Sequence, residues 1–275
     1  MCKVVVIFLC FIKHSQFPYL PISDNVIRQR YKMKKIDISF AGCGFLALYH
    51  AGVLKYIQSN LHKTVRIEKS LGASAGAVVA CLALIQYPAD EIRQKFKKII
   101  EKARKHRFGA FHPNFHVESI IKEELSPELP RDIAEIVTDR LFISLTNSRG
   151  HNLLVSQFNS REDLLEALIC SCFLPAFSGY RVPTFRGEKF LDGGLSINLP
   201  VLDSHTIKVS PFAGLDKDIC PRFSSSSRTL DLQGENIALN LQNLKRGVHV
   251  IKASNVLVLE DYYSCGLKDA KSYFE

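Results

Sequence analysis

Residues 65 to 85 read VRIEKSLGASAGAVVACLALI, and this stretch decides the fold. Val65 to Leu71 is short, with apolar residues spaced as in a strand. Gly72-Ala73-Ser74-Ala75-Gly76 breaks it with small residues, which tolerate a tight turn and strained backbone angles. From Ala77 to Ile85 nearly every residue is apolar and small or branched, which predicts a helix buried on all sides. The same succession occurs upstream. Ile36 to Phe40 is a strand, Gly42 and Gly44 make a glycine loop, and Phe45, Leu46, Tyr49, Val53, Leu54 and Ile57 recur at helical spacing. Strand, turn and buried helix, twice over, is the alternation of an α/β fold with a parallel sheet covered by helices.

Further along, Ile92, Phe96, Ile99 and Ile100 mark an amphipathic helix, Leu141 to Thr146 a strand and Leu164 to Ile169 a helical segment. Lys189 to Leu191 is a brief strand that runs into Asp192-Gly193-Gly194. Ser224 to Ser227 reads as a linker, and Ile237, Leu241 and Leu244 suggest one more helix. With 275 residues, 47% of them hydrophobic, the chain can bury one sizeable core. One main domain over residues 36–222 is expected, preceded by a leader of residues 1–35 and followed by a short linker and helical extension over 223–275. Val4 to Ile12 imitates the apolar part of a secretory signal behind Lys3, but no small-x-small cleavage site follows. It is also too short for a membrane helix, which takes about 20 residues. Residues 1–32 are therefore expected to lie outside the fold, with Met33-Lys34-Lys35 leading into the first strand.

The net charge of +9 suits an anionic surface, either membrane headgroups or nucleic acid. No nucleic-acid partner is expected, because neither zinc-type spacing nor an aromatic-rich basic strand accompanies the charge. The eight cysteines are scattered, several inside apolar runs, which fits a reducing compartment. Cys170 and Cys172 have no second pair to complete a metal site, so no metal is expected.

A serine becomes a nucleophile when a base takes its proton, and it is best exposed on a sharp strand-to-helix turn. Gly72 to Gly76 offers that elbow to Ser74; the bland alternative is a serine that caps the helix. The amides of Gly42, Cys43 and Gly44, at the start of a helix, can serve as an oxyanion hole. Read alone, that loop could also cradle a phosphate, but the third glycine of the dinucleotide fingerprint is absent, since position 47 is Ala47. Asp192 leaves its strand directly into Gly193-Gly194. It is either an ordinary turn or the carboxylate a serine hydrolase needs.

Ile38 to Leu46, Gly72 to Ala77, Asp192-Gly193-Gly194 and Asn198-Leu199-Pro200 together resemble the patatin-like phospholipase domain, in its animal branch of adiponutrin and adipose triglyceride lipase. Phe108 to Phe115, Cys170 to Pro175, Ser210-Pro211-Phe212 and Asp218 to Pro221 are similar to that branch as well. The resemblance spans about Ile36 to Pro221. It implies a three-layer α/β/α fold and a lipid acyl-ester hydrolase that needs no cofactor. Ser74 would attack the ester, Asp192 would activate it without a histidine, and the amides around Gly42 to Gly44 would hold the oxyanion. A long-chain acyl lipid is the implied substrate, met at a membrane or lipid-droplet surface on the cytoplasmic side. The chain departs from the branch at Ala47, usually glycine, and in a tail much shorter than in the larger members. That tail is where droplet targeting and response to an activator protein could reside.

Two rivals stay open. An α/β-hydrolase triad would have the chain order Ser74, Asp192 and then His205 or His249. A lipid-binding scaffold without turnover would rest on the segment Arg93 to Arg107, whose basic residues face one acid, Glu101, and whose apolar face could meet a core or a membrane.

Overall fold

The structure, a computed structural model, describes residues 33–105, 115–175, 178–179, 181–224 and 228–275. Residues 1–32 of the expected leader, most of the Phe108 to Phe115 motif and Ser225 to Ser227 fall outside them. Lys34 and Lys35, assigned to the leader, open the first strand. The described residues belong to one compact unit, Met33–Glu275.

β1 (Lys34–Phe40), β2 (Val65–Gly72), β3 (Leu141–Asn147) and β7 (Ile207–Val209) form the parallel part of a mixed central sheet. β4 (Asn152–Val155) and β6 (Glu188–Asp192) pair with β3 antiparallel, and β5 (Thr184–Phe185) closes the edge on β6. The main path runs β5-β6-β3-β2-β1-β7. The register determines where a site can form. Phe40 is level with Gly72 and with Val209, and Gly72 is level with Ile143. The carboxyl ends of β1 and β2 therefore reach the same edge. Asp192 pairs with Leu145, so the antiparallel β6 delivers its last residue to that edge too. Open α/β sheets bind ligands at this edge.

α1 (Ala47–Tyr56) follows a short 3-10 turn over Gly44–Leu46, and α2 (Ala75–Leu84) lies on β1, β2 and β3. α3 (Ala89–Arg104), α4 (Val117–Ile120), α5 (Ile133–Val137) and α6 (Arg161–Ser171) follow; α6 covers β3 and β6. α2 is buried almost throughout, as its composition demands. α1 is also buried on nearly every side, more than a single apolar face explains. The reason is at the far end of the chain.

The C-terminal region differs from expectation. Ile237 belongs not to a helix but to β9 (Glu235–Ala238), which forms a hairpin with β8 (Thr229–Leu232). The apolar spacing that suggested helix there spans a strand, a turn and the start of α7 (Leu241–Ile251). Asn240 marks the true boundary, accepting a hydrogen bond from the Asn243 amide at 2.8 Å as an N-cap should. A second helix, α8 (Val256–Phe274), covers α1. The two backbones nearly touch: a Cβ placed on Gly52 would lie 2.0 Å from the Tyr263 carbonyl oxygen. Tyr49 ties them further by donating to Asp269 at 2.7 Å.

α3 resolves the open question about its apolar face. Ile92, Phe96, Ile100 and Ala103 are buried, so that face meets the core. On its polar side Arg93 and Lys97 pair with Glu260, Lys95 with Glu128, and Lys102 with Glu123 and Glu124. Much of the basic run is thus neutralised within the fold. No helix among the described residues is long and apolar enough to cross a membrane.

Candidate active site

Ser74 sits between β2 and α2 with φ 54° and ψ −132°. A non-glycine residue there stores strain of about 1–3 kcal/mol. Its side chain makes no capping hydrogen bond to α2, so it is not a helix-capping serine. The turn is held by its backbone instead. The Ser74 amide donates to Ser171 Oγ at 2.9 Å, and Ser171 in turn donates to the Ser144 carbonyl at 2.9 Å. Gly76 sets how closely the elbow approaches β1. A Cβ placed on it would lie 2.2 Å from the Phe40 carbonyl oxygen, a rigid backbone atom. Gly76→Ala is therefore expected to destabilise the protein by about 3 kcal/mol or more, since α2 would have to move off the sheet. A thermal melt indistinguishable from wild type would contradict this packing. Gly72, the other glycine of the elbow, is the last residue of β2.

The glycine loop stands directly over the elbow, where a Cβ on Gly42 would come within 3.2 Å of Ser74 Cβ. The three amides proposed for the oxyanion hole are not equivalent. Gly42 N–H donates to the Asn198 carbonyl at 3.2 Å and is engaged. The amides of Cys43 and Gly44 make no hydrogen bond among the described residues, and both stand at the start of the Gly44–Leu46 turn. Gly44 has φ +51°.

Asp192 is buried at the end of β6. Oδ1 accepts from the Gly194 amide at 2.8 Å, while Oδ2 has no hydrogen-bond partner among the described residues. Burial pushes this carboxyl up to about 6; the Ser74 hydroxyl and the Gly194 amide pull it the other way. The serine hydroxyl thus faces the acid closely enough to favour its charge without closing a bond on Oδ2. Gly193, buried, packs on the Ser144 backbone and begins the 3-10 turn that returns the Gly194 amide. Cys172 also faces Ser74, and burial holds its thiol protonated. Cys170 is in the core.

Several contributors were given no role in the site from sequence, although Asn198 stood in one of the motifs that carry the resemblance. Asn198 bridges the two loops: its Nδ2 donates to the Gly42 carbonyl at 3.1 Å and to Glu235 at 2.6 Å. Glu235, from β9, is itself buried and accepts from Ser210 at 2.5 Å and from Lys217 at 3.0 Å. The C-terminal hairpin therefore braces the glycine loop. His50 lies beneath that loop, fully buried, with Nε2 2.8 Å from the Ala41 carbonyl and burial lowering its pKa to about 4. It is a neutral donor to Ala41. The signal for His50 was its place one turn after Leu46 on the apolar side of α1. Glu235 had no local signal.

From Ser74 an apolar cavity of about 120 Å³ extends between α2, α3 and the segment after Val117. Val78, Leu82, Phe96, Ile99 and Ile121 line it, and Val250 of α7 closes one side. Neither histidine proposed for a triad bonds to Ser74 or Asp192 among the described residues. His205 is exposed beside Asp203, and His249 Nδ1 is 2.9 Å from the Tyr262 hydroxyl.

The patatin-like phospholipase family's sequence profile matches residues 38–204, which include the glycine loop, the serine elbow and Asp192. The chain belongs to the patatin-like phospholipase family. It is 37% identical to 1-acylglycerol-3-phosphate O-acyltransferase Pnpla3 of Mus musculus, over 88% of this chain and 59% of that protein. It is 37% identical to patatin-like phospholipase domain-containing protein 2 of Homo sapiens, over 88% of this chain and 49% of that protein. With patatin-like phospholipase domain-containing protein 4 of Homo sapiens it shares 34% identity over 88% of this chain and 97% of that protein. The chain spans about half the length of the first two.

Proposed function

We propose that this patatin-like protein transfers the acyl group of a long-chain lipid ester to Ser74 and then to water. The observation that carries this reading is a strained serine whose hydroxyl caps no helix, facing a buried carboxyl whose Oδ2 has no hydrogen-bond partner among the described residues and whose pKa is raised to about 6. In the first step Ser74 Oγ attacks the ester carbonyl carbon while its proton passes to Asp192 Oδ2. The Cys43 and Gly44 amides take the resulting oxyanion, each worth about 3 kcal/mol by comparison with measured donors. The C–O bond then breaks and Asp192 returns the proton to the leaving alcohol. Water attacks the acyl-serine in the same way, giving a proton to Asp192, which returns it to Ser74 Oγ as the C–O bond breaks and the acid is released. The apolar cavity beside Ser74 suits an acyl chain.

The name of one relative, an acyltransferase, supports a variant in which a lipid hydroxyl replaces water in the second step. An apolar pocket discriminates chains by only about 1–3 kcal/mol per methylene, so lining residues do not choose among triacylglycerol, phospholipid and retinyl ester. A panel of these lipids with labelled acyl groups, incubated with wild type beside Ser74→Ala, tests the reading. Release or transfer of label by wild type alone supports it, and equal label movement with both proteins refutes it. The site is expected to meet its substrate while peripherally bound to a membrane or lipid droplet, on the cytoplasmic side.

Because Asp192 is itself the proton acceptor, no histidine should be indispensable. His205→Ala and His249→Ala are each expected to keep kcat within about tenfold, against the 10²- to 10⁴-fold typical of losing a general base. A thousandfold loss in either folded variant would establish a triad instead.

A further inference from the structure

α7 is turned inside out. An amphipathic helix on a globular protein ordinarily buries its apolar stripe and shows its polar face to water. Here Asn243 is the buried residue, donating to the carbonyls of Ala213 at 2.7 Å and Ala238 at 2.8 Å and accepting from the Ala213 amide at 3.1 Å. Leu241, Leu244, Val248 and Ile251 recur along one side and face outward; Leu241 and Leu244 are 76% and 67% exposed. Leu239 before α7 and Leu257 and Val258 after it are exposed as well. A contiguous exposed surface of this kind marks an interaction site.

Two further observations say what covers it. From Leu241 to Val258 the chain carries Lys245, Arg246 and Lys252 and no acidic residue, a basic border complementary to anionic headgroups. The helix also adjoins the candidate site: the Val250 carbonyl packs against Gly44, and Val250 lines the cavity that reaches Ser74. We propose that α7 is an interfacial helix, which seats its leucine stripe in an anionic phospholipid surface and so brings the cavity to the lipid. The proposal rests on the acyl-transfer reading for its purpose but not for its test. α3, whose apolar face is buried and whose basic residues are largely paired, is not the docking element.

The test uses the full chain and phosphatidylcholine vesicles with and without phosphatidylserine. The double variant Leu241→Ser/Leu244→Ser alters exposed side chains only, and its circular dichroism and turnover of a short soluble ester should match wild type within about twofold. Its partitioning onto phosphatidylserine vesicles should fall by about tenfold or more. Lys245→Gln/Lys252→Gln should weaken binding to the anionic vesicles and leave binding to pure phosphatidylcholine unchanged. Undiminished vesicle binding by the leucine variant overturns the proposal. So does sedimentation showing a wild-type dimer that the leucine variant dissociates without loss of vesicle binding, which would make the stripe a contact between copies. If wild type binds vesicles through α7 yet turns over no ester, the acyl-transfer reading fails and the docking surface stands.

Discussion

Ser74→Ala is expected to lower ester hydrolysis by on the order of 10⁴-fold or more, with little change in the melting temperature. The two consequences come from different parts of the same turn. The hydroxyl makes no capping bond to α2, and the elbow is held by the Ser74 amide on Ser171 and by the fit of Gly76 against Phe40. Alanine keeps that amide and fits the same space, so only the hydroxyl is lost. Activity within tenfold of wild type, with unchanged circular dichroism, would contradict the assignment.

Asp192→Asn is expected to remove most of the activity and at the same time to stabilise the protein above pH 6. An amide cannot accept the serine proton, and losing a general base costs about 10²- to 10⁴-fold. The stability effect follows from linkage. Burial raises the folded-state pKa of Asp192 from 3.8 to about 6, so the folded protein holds this proton more tightly than the unfolded chain does. As pH rises from about 4 to about 6 the carboxyl's contribution to stability falls, and above that it settles at a cost of about 3 kcal/mol. Asparagine carries no such charge. The variant should therefore melt several degrees higher than wild type at pH 8, and the two curves should converge near pH 4. In the wild-type protein kcat/KM should fall as pH drops through about 6, because the protonated acid is no longer a base. Measurements of kcat/KM and of thermal melts across this range check both halves; a rate independent of pH between 5 and 7 would remove Asp192 from the role of base.

The central elements were legible because each is a local pattern with one structural solution. Gly72 to Gly76 between an apolar strand and an apolar small-residue helix can only be a tight crossover, and the register of β1 with β2 then places Gly42 beside Ser74. Asp192 was legible only in company, since an aspartate before two glycines is ordinarily a turn. Its burial depends on β6 running antiparallel to β3, which nothing near residue 192 specifies. Asn198 stood in a recognisable Asn-Leu-Pro, but its work is long-range: it joins Gly42 to Glu235, 37 residues further on. The C-terminal region misled for a physical reason. Ile237, Leu241 and Leu244 mimic helical spacing across a strand boundary, and the stripe of α7 looks like a core face while facing solvent. α8 falls in the helical extension expected over 223–275 but was not placed by a pattern of its own, although Leu259, Tyr263, Gly266 and Ala270 recur every three or four residues, because two of the four are small and carry little apolar signal.

The most direct measurement is covalent. A fluorophosphonate ester reacts with a serine hydroxyl only where a base activates it and an oxyanion site receives the phosphoryl oxygen. Incubated with the full chain and mapped by peptide mass spectrometry, it should label Ser74 alone, and the rate should fall with pH through about 6 and be nearly abolished in Asp192→Asn. Labelling at another residue, or at Ser74 with an undiminished rate in Asp192→Asn, would contradict a serine activated by this aspartate.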